Sequence, residues 1–190
     1  MLNNNNSMNN IDEQFVIACE YGYLEVVELL INKGACIHFR YDSAIIWASK
    51  QGNLSIVNLL IKFGADIYAQ NNQPIICSSL GGHLSIVELL IKLNANIHAE
   101  NNQAIIHASY RGHLSVVELL IKSGANVRAQ NDLAIILASK YGHLSIVKLL
   151  VKSGANVSAQ SNKAIELAIF YNHQYVVKLL KEYGAVYHEY

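Results

Sequence analysis

The sequence predicts an all-α solenoid built from six helix-turn-helix units. The string GHLSIVELLIK from Gly82 returns as GHLSVVELLIK from Gly112 and as GHLSIVKLLVK from Gly142, so the period is thirty residues. A Leu-Leu pair and a Val recur at fixed positions of every unit and mark its core. Because two short helices cannot enclose a core of their own, each unit must bury its apolar faces against its neighbours.

The period divides the chain into a tail and one repeat domain. We expect units at 11–40, 41–70, 71–100, 101–130, 131–160 and 161–190, stacked as a single solenoid. Residues 1–10 include six Asn and hold too little apolar area to join a core, which predicts a flexible tail. In the last unit Glu166, Gln174 and Lys181 replace apolar residues, as expected of a cap that faces water. The first unit keeps the apolar run Phe15 to Ile17 and is expected to be the weaker cap.

Each unit is expected to contain a short helix A and a more apolar helix B. In the third unit Ser85, Glu88 and Lys92 have spacings of three and four residues and mark the single polar stripe of helix B. Ten of the eleven glycines fall in two columns, one between the helices and one after helix B. The one substitution in each column is an Asn, which tolerates the left-handed conformation of a helix end. The columns are therefore predicted to be turns. A phosphate-binding loop is disfavoured because each glycine follows a helix and not a strand.

Composition excludes several classes of function. The chain has 14 Lys and Arg against 14 Asp and Glu and a pI near 7.1, so it has no long-range field to attract nucleic acid or anionic lipid. Its apolar runs stop at five or six residues, too few to span a bilayer. The three cysteines form no CxxC pair and leave an odd thiol, which predicts a reducing, cytoplasmic location within a cell. We expect no cofactor.

The repeated string GHLSIV-x-LLIK-x-GANV, preceded by pairs of small residues, resembles the ankyrin repeat over residues 11–190. The usual ankyrin unit has about 33 residues and a TPLH box. Here the unit is three residues shorter, and the box reads QPII from Gln73, QAII from Gln103 and LAII from Leu133. The missing residues fall in the connector, so the resemblance implies β-hairpin fingers that are shortened or absent. The short unit and the richness in Ile and Asn are similar to those of ankyrin-repeat proteins of giant, mimivirus-like DNA viruses.

Two columns of charged or titratable residues invite a functional interpretation. The first column, which we call the histidine column, is His83, His113, His143 and His173. Equivalent side chains of stacked units lie about 8–10 Å apart, whereas zinc needs donor nitrogens at about 2.0–2.1 Å. We therefore predict that the histidines pack and form hydrogen bonds at the start of helix B, with a metal site as the alternative. The second column is Lys62, Lys92, Lys122 and Lys152, which are predicted to complement the helix dipole, with an acidic or phosphate partner as the alternative.

Recognition is expected where the columns vary, at the C-terminal end of helix A. The ankyrin resemblance implies that this edge and the connector line a concave groove. The candidate partner-binding residues are Trp47, Lys50, Tyr68, His107, Tyr110, Arg111, Arg128, Lys140, Tyr141, Phe170 and Tyr171. Tyr, Trp and Arg are enriched at interface hot spots. The alternative is that these aromatics only fill grooves between adjacent units.

These observations predict a non-catalytic module that binds a protein partner, and a host protein if the chain is viral. No catalytic or metal-binding residues and no nucleic-acid or membrane partner are expected, because periodicity spreads like groups along a stack and does not gather them in a pocket. A monomer is expected. The alternatives are a self-assembling structural repeat protein, since imperfect caps allow end-to-end association, and a metal- or nucleic-acid-binding protein that uses the histidine or lysine column.

Overall fold

A computed structural model describes the backbone of residues 4–187 and the side chains of residues 11–187. This part of the chain contains α-helices and no strand. The helices are α1 (Asn4–Tyr21), α2 (Leu24–Asn32), α3 (Phe39–Gln51), α4 (Leu54–Lys62), α5 (Ala69–Gly81), α6 (Leu84–Lys92), α7 (Ala99–Arg111), α8 (Leu114–Lys122), α9 (Ala129–Lys140), α10 (Leu144–Lys152), α11 (Ala159–Phe170) and α12 (Gln174–Glu182). Odd-numbered helices are the predicted helix A and even-numbered helices the predicted helix B. The all-α repeat fold is thus confirmed.

The chain forms two compact units, residues 1–96 and residues 97–190, which we call the N-terminal and C-terminal units. In the N-terminal unit α1 packs on α3 and α3 packs on α5. In the C-terminal unit α7 packs on α9 and α9 packs on α11. Each helix A also packs on the helix B that follows it. Each unit is therefore a stack of three helical pairs, and the single solenoid over 11–190 stays a prediction.

The core of each unit comes from the predicted columns. Ile45 and Ile75 of helix A are fully buried, and so are Val57 and Leu60 of helix B. Only the second Leu of each Leu-Leu pair is buried throughout the chain, whereas the first, such as Leu59, is half-buried. The prediction that both leucines are core residues in every unit was wrong, because helical geometry turns neighbouring side chains about 100° apart.

Each connector runs into one turn of left-handed helix, which lies inside the bounds given above for the next helix A, and the right-handed helix begins after it. The turns are Arg40–Asp42, Gln70–Asn72, Glu100–Asn102, Gln130–Asp132 and Gln160–Asn162, with φ between 47° and 65°. This conformation costs an L-residue about 1–2 kcal/mol. The third residue is always Asn or Asp, the types that tolerate it best. The tight turn stands where ankyrin proteins have a hairpin finger, so the predicted loss of the fingers is confirmed within the described residues.

The Asn or Asp at the end of the turn also closes its own repeat. Its side-chain Oδ1 accepts a hydrogen bond from a backbone N–H of the connector that follows. The Asn102 oxygen accepts from Asn126 N at 2.8 Å, and the Asp132 oxygen accepts from Asn156 N at 2.6 Å. The first repeat has the same bond, from Cys36 N to Asp12 Oδ1 at 2.7 Å. The bond gives a reason for Asn or Asp in this column besides the left-handed turn.

The beginning of α1 differs from the sequence prediction. The helix begins at Asn4, so the backbone of residues 4–10 is helical where a flexible tail was expected. The segment contains no Pro or Gly to stop a helix, and once the turns around Phe15 are fixed by packing, each further residue extends a helix that is already nucleated. Residues 1–3 of the predicted tail lie outside the described residues.

Candidate functional site

Six of the predicted site residues lie side by side in the C-terminal unit, and we call them the aromatic cluster. They are Tyr110 and Arg111 of α7, Lys140 and Tyr141 at the end of α9, and Phe170 and Tyr171 at the end of α11. Rings from neighbouring repeats meet edge to face, because the centroids of Tyr110 and Tyr141 are 4.9 Å apart at 74°. Phe170 and Tyr171, which are neighbours within one repeat, also meet edge to face, at 5.0 Å and 78°.

Two cations link the rings of the aromatic cluster. The Arg111 guanidinium carbon lies 5.0 Å from the centre of the Tyr110 ring. Lys140 Nζ lies 5.2 Å from the Tyr141 ring and 5.6 Å from the Tyr171 ring, so one ammonium group contacts two repeats. Such contacts contribute about 0.5–1 kcal/mol at exposed sites. The cluster stays open to solvent, since the exposed fraction is 78% for Phe170, 45% for Tyr171 and 43% for Tyr141.

The predicted site residues of the N-terminal unit are divided between two places. Trp47 and Lys50 share the last turns of α3, where Lys50 Nζ lies 4.5 Å from the Trp47 ring. Tyr68 precedes the first residue of α5, and its hydroxyl donates to the Leu93 carbonyl at 3.5 Å. Tyr68 therefore lies at the N-terminal end of a helix A, away from the end that carries Trp47 and Lys50.

Arg128 occupies the same place in the C-terminal unit as Tyr68 does in the N-terminal unit. It precedes α9, and its Nε lies 3.6 Å from the buried Asp132 carboxylate. The aromatic cluster is at the other end of α9. The structure therefore joins the six cluster residues and leaves Arg128 apart from them.

His107 is half-buried on α7 and belongs to a chain of hydrogen bonds. Gln130 Nε2 donates to Gln103 Oε1 at 3.1 Å, and Gln103 Nε2 donates to His107 Nε2 at 2.6 Å. An accepting Nε2 places the ring proton on Nδ1, which is buried without a hydrogen-bond partner. Burial lowers the pKa of His107, and the nearby Arg111 charge lowers it further. His107 is thus a neutral, packed side chain.

Three members of the histidine column form hydrogen bonds at the start of helix B, as predicted, and each bond joins one repeat to the repeat before it. His83 Nε2 donates to the Lys50 carbonyl at 2.8 Å, His143 to the Tyr110 carbonyl at 3.0 Å and His173 to the Lys140 carbonyl at 2.9 Å. Because a carbonyl only accepts, Nε2 carries the proton in all three. The glycine column makes room for these rings. A Cβ built on Gly142 would lie 2.6 Å from the His173 ring.

Sequence reasoning missed that the histidine column binds the backbone carbonyls of candidate partner-binding residues, namely Lys50, Tyr110 and Lys140, which we call the recognition column. The signal was present as a constant spacing of 33 residues between each of these histidines and the carbonyl that it contacts. No group of three or more His, Cys, Asp or Glu with the arrangement of a metal site occurs among the residues that the structure describes. The lysine column lies exposed in the last turns of helix B, where its charge complements the helix dipole.

The comparison with protein families settles which family this architecture represents. A family model described as ankyrin repeats (3 copies) matches residues 2–71, 45–131 and 105–189. The chain belongs to the ankyrin-repeat family. A search of curated proteins gave no significant match. Ankyrin repeats are generally protein–protein interaction modules, and the family is typically non-catalytic. Among the described residues of this ankyrin chain, none of the helices has the length and apolar content of a membrane-spanning segment.

Proposed function

We propose that this ankyrin-repeat chain is a non-catalytic module that binds a protein partner through the aromatic cluster of its C-terminal unit. The observation that carries the proposal is the set of four aromatic rings and two cations that three consecutive repeats bring into one row. Tyr and Arg supply large contact areas with a polar group attached, and they dominate interface energetics.

The surroundings of the cluster favour binding over groove filling alone. Tyr110 and Tyr141 contact each other across repeats. Phe170, Tyr171 and Tyr141 nevertheless keep from two fifths to nearly four fifths of their surface exposed. Hydrogen bonds from His143 and His173 hold the backbone beneath the cluster. A surface that is already ordered loses less conformational entropy when a partner binds.

The other predicted residues extend the proposal in two smaller places. We propose that Trp47, Lys50 and Tyr68 form a separate contact on the N-terminal unit, and that Arg128 contacts a partner beside α9. His107 supports the cluster as a packed residue, since it is half-buried and neutral. We expect neither nucleic acid nor a membrane to bind. A nucleic-acid complex that uses the lysine column would weaken steeply as salt rises, because phosphate contacts release counterions.

The triple variant Tyr110→Ala/Arg111→Ala/Tyr141→Ala tests the proposed surface. Its matched control is Tyr175→Ala/Lys181→Ala/Tyr183→Ala, which also removes two tyrosines and one cation from exposed positions. Partners are first captured with the unaltered chain and identified by mass spectrometry, and affinities are then measured by calorimetry. Truncating hot-spot residues costs at least about 2 kcal/mol each, so we expect the affinity of the triple variant to fall by about 100-fold or more.

The same two variants distinguish binding from packing. If the cluster is a contact surface, the melting temperature of the triple variant stays close to that of the control while binding is lost. A large fall in melting temperature with binding intact would assign the aromatics to the grooves between repeats and refute the proposed surface.

We also propose that the chain derives from a giant, mimivirus-like DNA virus and acts on a host protein in the cytoplasm. The shortened repeat unit and the abundance of Ile and Asn support a viral source. Cys19, Cys36 and Cys77 are free thiols, which suits a reducing compartment. Capture from a lysate of the infected host should therefore recover a host protein, and recovery of viral proteins alone would argue against this role.

A further inference from the structure

The first repeat has an apolar side that stays exposed among the residues whose side chains the structure describes. Val26 of α2 is 43% exposed, whereas the residue in the same column is 1% exposed in later repeats, at Ile56, Ile86, Ile146 and Val176. Ile17 of α1 and Leu29 of α2 are also about half exposed. We call Ile17, Val26 and Leu29 the open face. In later repeats the same columns are buried or half-buried.

The open face lies in an acidic surrounding. Glu25 and Glu28 stand beside Val26 and Leu29 on α2. Glu20 lies on α1, as does Glu13, which pairs with Arg40 of the same copy at 2.8 Å. The two units of this neutral chain carry opposite charge, since residues 1–96 have five Lys and Arg against eight Asp and Glu and residues 97–190 have nine against six. Two open faces brought together would repel each other, so a basic surface is the complementary one.

The last repeat offers such a surface on the side that a seventh repeat would cover. Val177 of α12 is half-buried, whereas Val147, the same column one repeat earlier, is fully buried. Phe170 stands exposed on this side, so the predicted C-terminal cap is incomplete. Lys178 is exposed on α12, and Lys163 on α11 pairs with Glu166 at 2.8 Å.

The columns of the two ends match in charge. Glu28 occupies the same column as Lys178, and Glu13 the same column as Lys163. Residues of one column in stacked repeats lie about 8–10 Å apart. If the first repeat of a second copy follows α11 and α12 as the next repeat, each of these lysines gains an acidic neighbour, and Val26 and Leu29 of the second copy cover α12.

We propose that the chain associates with itself head to tail, and that the open face of one copy docks on the exposed side of α11 and α12 of another. This inference replaces the monomer that the sequence predicts. It shares Phe170 with the aromatic cluster, so Val26→Glu, which leaves that cluster unchanged, separates self-association from partner binding. The contact is heterologous, because the two surfaces differ. Each added copy therefore leaves one free surface at either end, and assemblies grow with concentration unless they close into a ring.

Light scattering and sedimentation against protein concentration test the proposal at low salt. We expect the mass to rise above the 21.1 kDa of one chain, and to rise less in high salt. Val26→Glu and Phe170→Glu should each lower the association constant at least about tenfold, since they remove buried apolar area and add a charge. The matched controls are Phe63→Glu and Tyr175→Glu, which alter exposed residues outside both surfaces. Leu29→Glu replaces Val26→Glu if circular dichroism shows that the latter loses helix.

Mixing the blocked variants tests the polarity of the contact. Val26→Glu keeps its C-terminal surface and Phe170→Glu keeps its open face, so a mixture should form a dimer and nothing larger. Glu28→Lys and Lys178→Glu should each weaken association, and the double variant should restore it. A wild-type chain that stays at monomer mass up to millimolar concentration would overturn the proposal. Dimerisation of Phe170→Glu with the association constant of the unaltered chain would overturn it as well, because an unweakened contact does not use the surface that carries Phe170.

Discussion

Two glycines allow the cost of backbone strain to be measured apart from the cost of displacing a histidine ring. Gly142 and Gly154 both lie in the C-terminal unit at positive φ, 74° and 95°. A Cβ at Gly142 would lie 2.6 Å from the His173 ring, whereas a Cβ at Gly154 would meet nothing within 4 Å. Gly→Ala at either position introduces left-handed strain of about 1–2 kcal/mol. Only Gly142→Ala must also displace a histidine.

The additional cost at Gly142 follows from what His173 contacts. Moving the ring breaks its 2.9 Å hydrogen bond to the Lys140 carbonyl, worth about 0.5–1.5 kcal/mol. Forcing extra atoms into a packed site costs about 1–3 kcal/mol. We therefore expect Gly142→Ala to lower the free energy of unfolding by about 3–5 kcal/mol and Gly154→Ala by about 1–2 kcal/mol.

Urea unfolding of both variants in two backgrounds measures the difference. In a His173→Ala background the ring is absent, so Gly142→Ala should cost no more than Gly154→Ala does. The coupling between Gly142 and His173 is then the difference between the two backgrounds. Equal costs for the two glycines in both backgrounds would refute the idea that the glycine column makes room for the histidines.

Three further predictions concern single side chains. Asp132→Ala should lower the free energy of unfolding by about 1–3 kcal/mol, because it leaves the Asn156 N–H without its acceptor. Asp132→Asn should cost under about 1 kcal/mol, because an amide oxygen can accept the same bond. Urea unfolding of both variants gives the comparison. Titration of the His107 ring by NMR should give a pKa below its ordinary value, and Arg111→Ala should raise it. Unfolded His107 binds a proton at higher pH than folded His107 does, so the stability that comes from burying the neutral ring is lost as pH falls below about 6.5. A measured pKa at or above about 6.5 would contradict the burial of the ring. Exposed Cys36 should react first with a thiol reagent, while Cys19, whose pKa is raised to about 12 by burial, should react only after unfolding, as mass spectrometry of timed samples can show.

The helices were predictable because their signal is periodic, whereas each left-handed turn carries a signal at only one or two residues. Six copies of the Leu-Leu and glycine columns fix the boundaries of helix B to within a residue or two. In the left-handed turn Gln130–Asp132, only Asn131 and Asp132 favour the conformation, and Gln130 does not. The hydrogen bond that closes the repeat joins residues far apart along the chain and leaves no local pattern. The sequence therefore predicted that the fingers are lost, and could not predict what replaces them.

The candidate site was predictable as a set of columns but not as a surface. The separation of Tyr110 and Tyr141 along the chain exceeds one repeat by a single position, so the period places them near each other without specifying that their rings touch. Tyr68 and Arg128 were grouped with the cluster because the ankyrin resemblance implies that the connector lines the same groove. Their position before a helix A, at its N-terminal end, separates them from residues that follow its last turn.

The histidine column contacts only the backbone of the recognition column. The side chains at the end of helix A can therefore differ between repeats while the helices stay in place. His83, His143 and His173 each bond to a backbone carbonyl, so the side chain on that residue is free to be Lys50, Tyr110 or Lys140. The His143 ring also stacks 6.4 Å from Tyr141, and the His173 ring stacks 6.5 Å from Tyr171. One histidine thus fixes the backbone of one cluster residue and orients the ring of another. Because this support comes from the next repeat, the orientation of the cluster depends on the stacking of the repeats as well as on helix A itself.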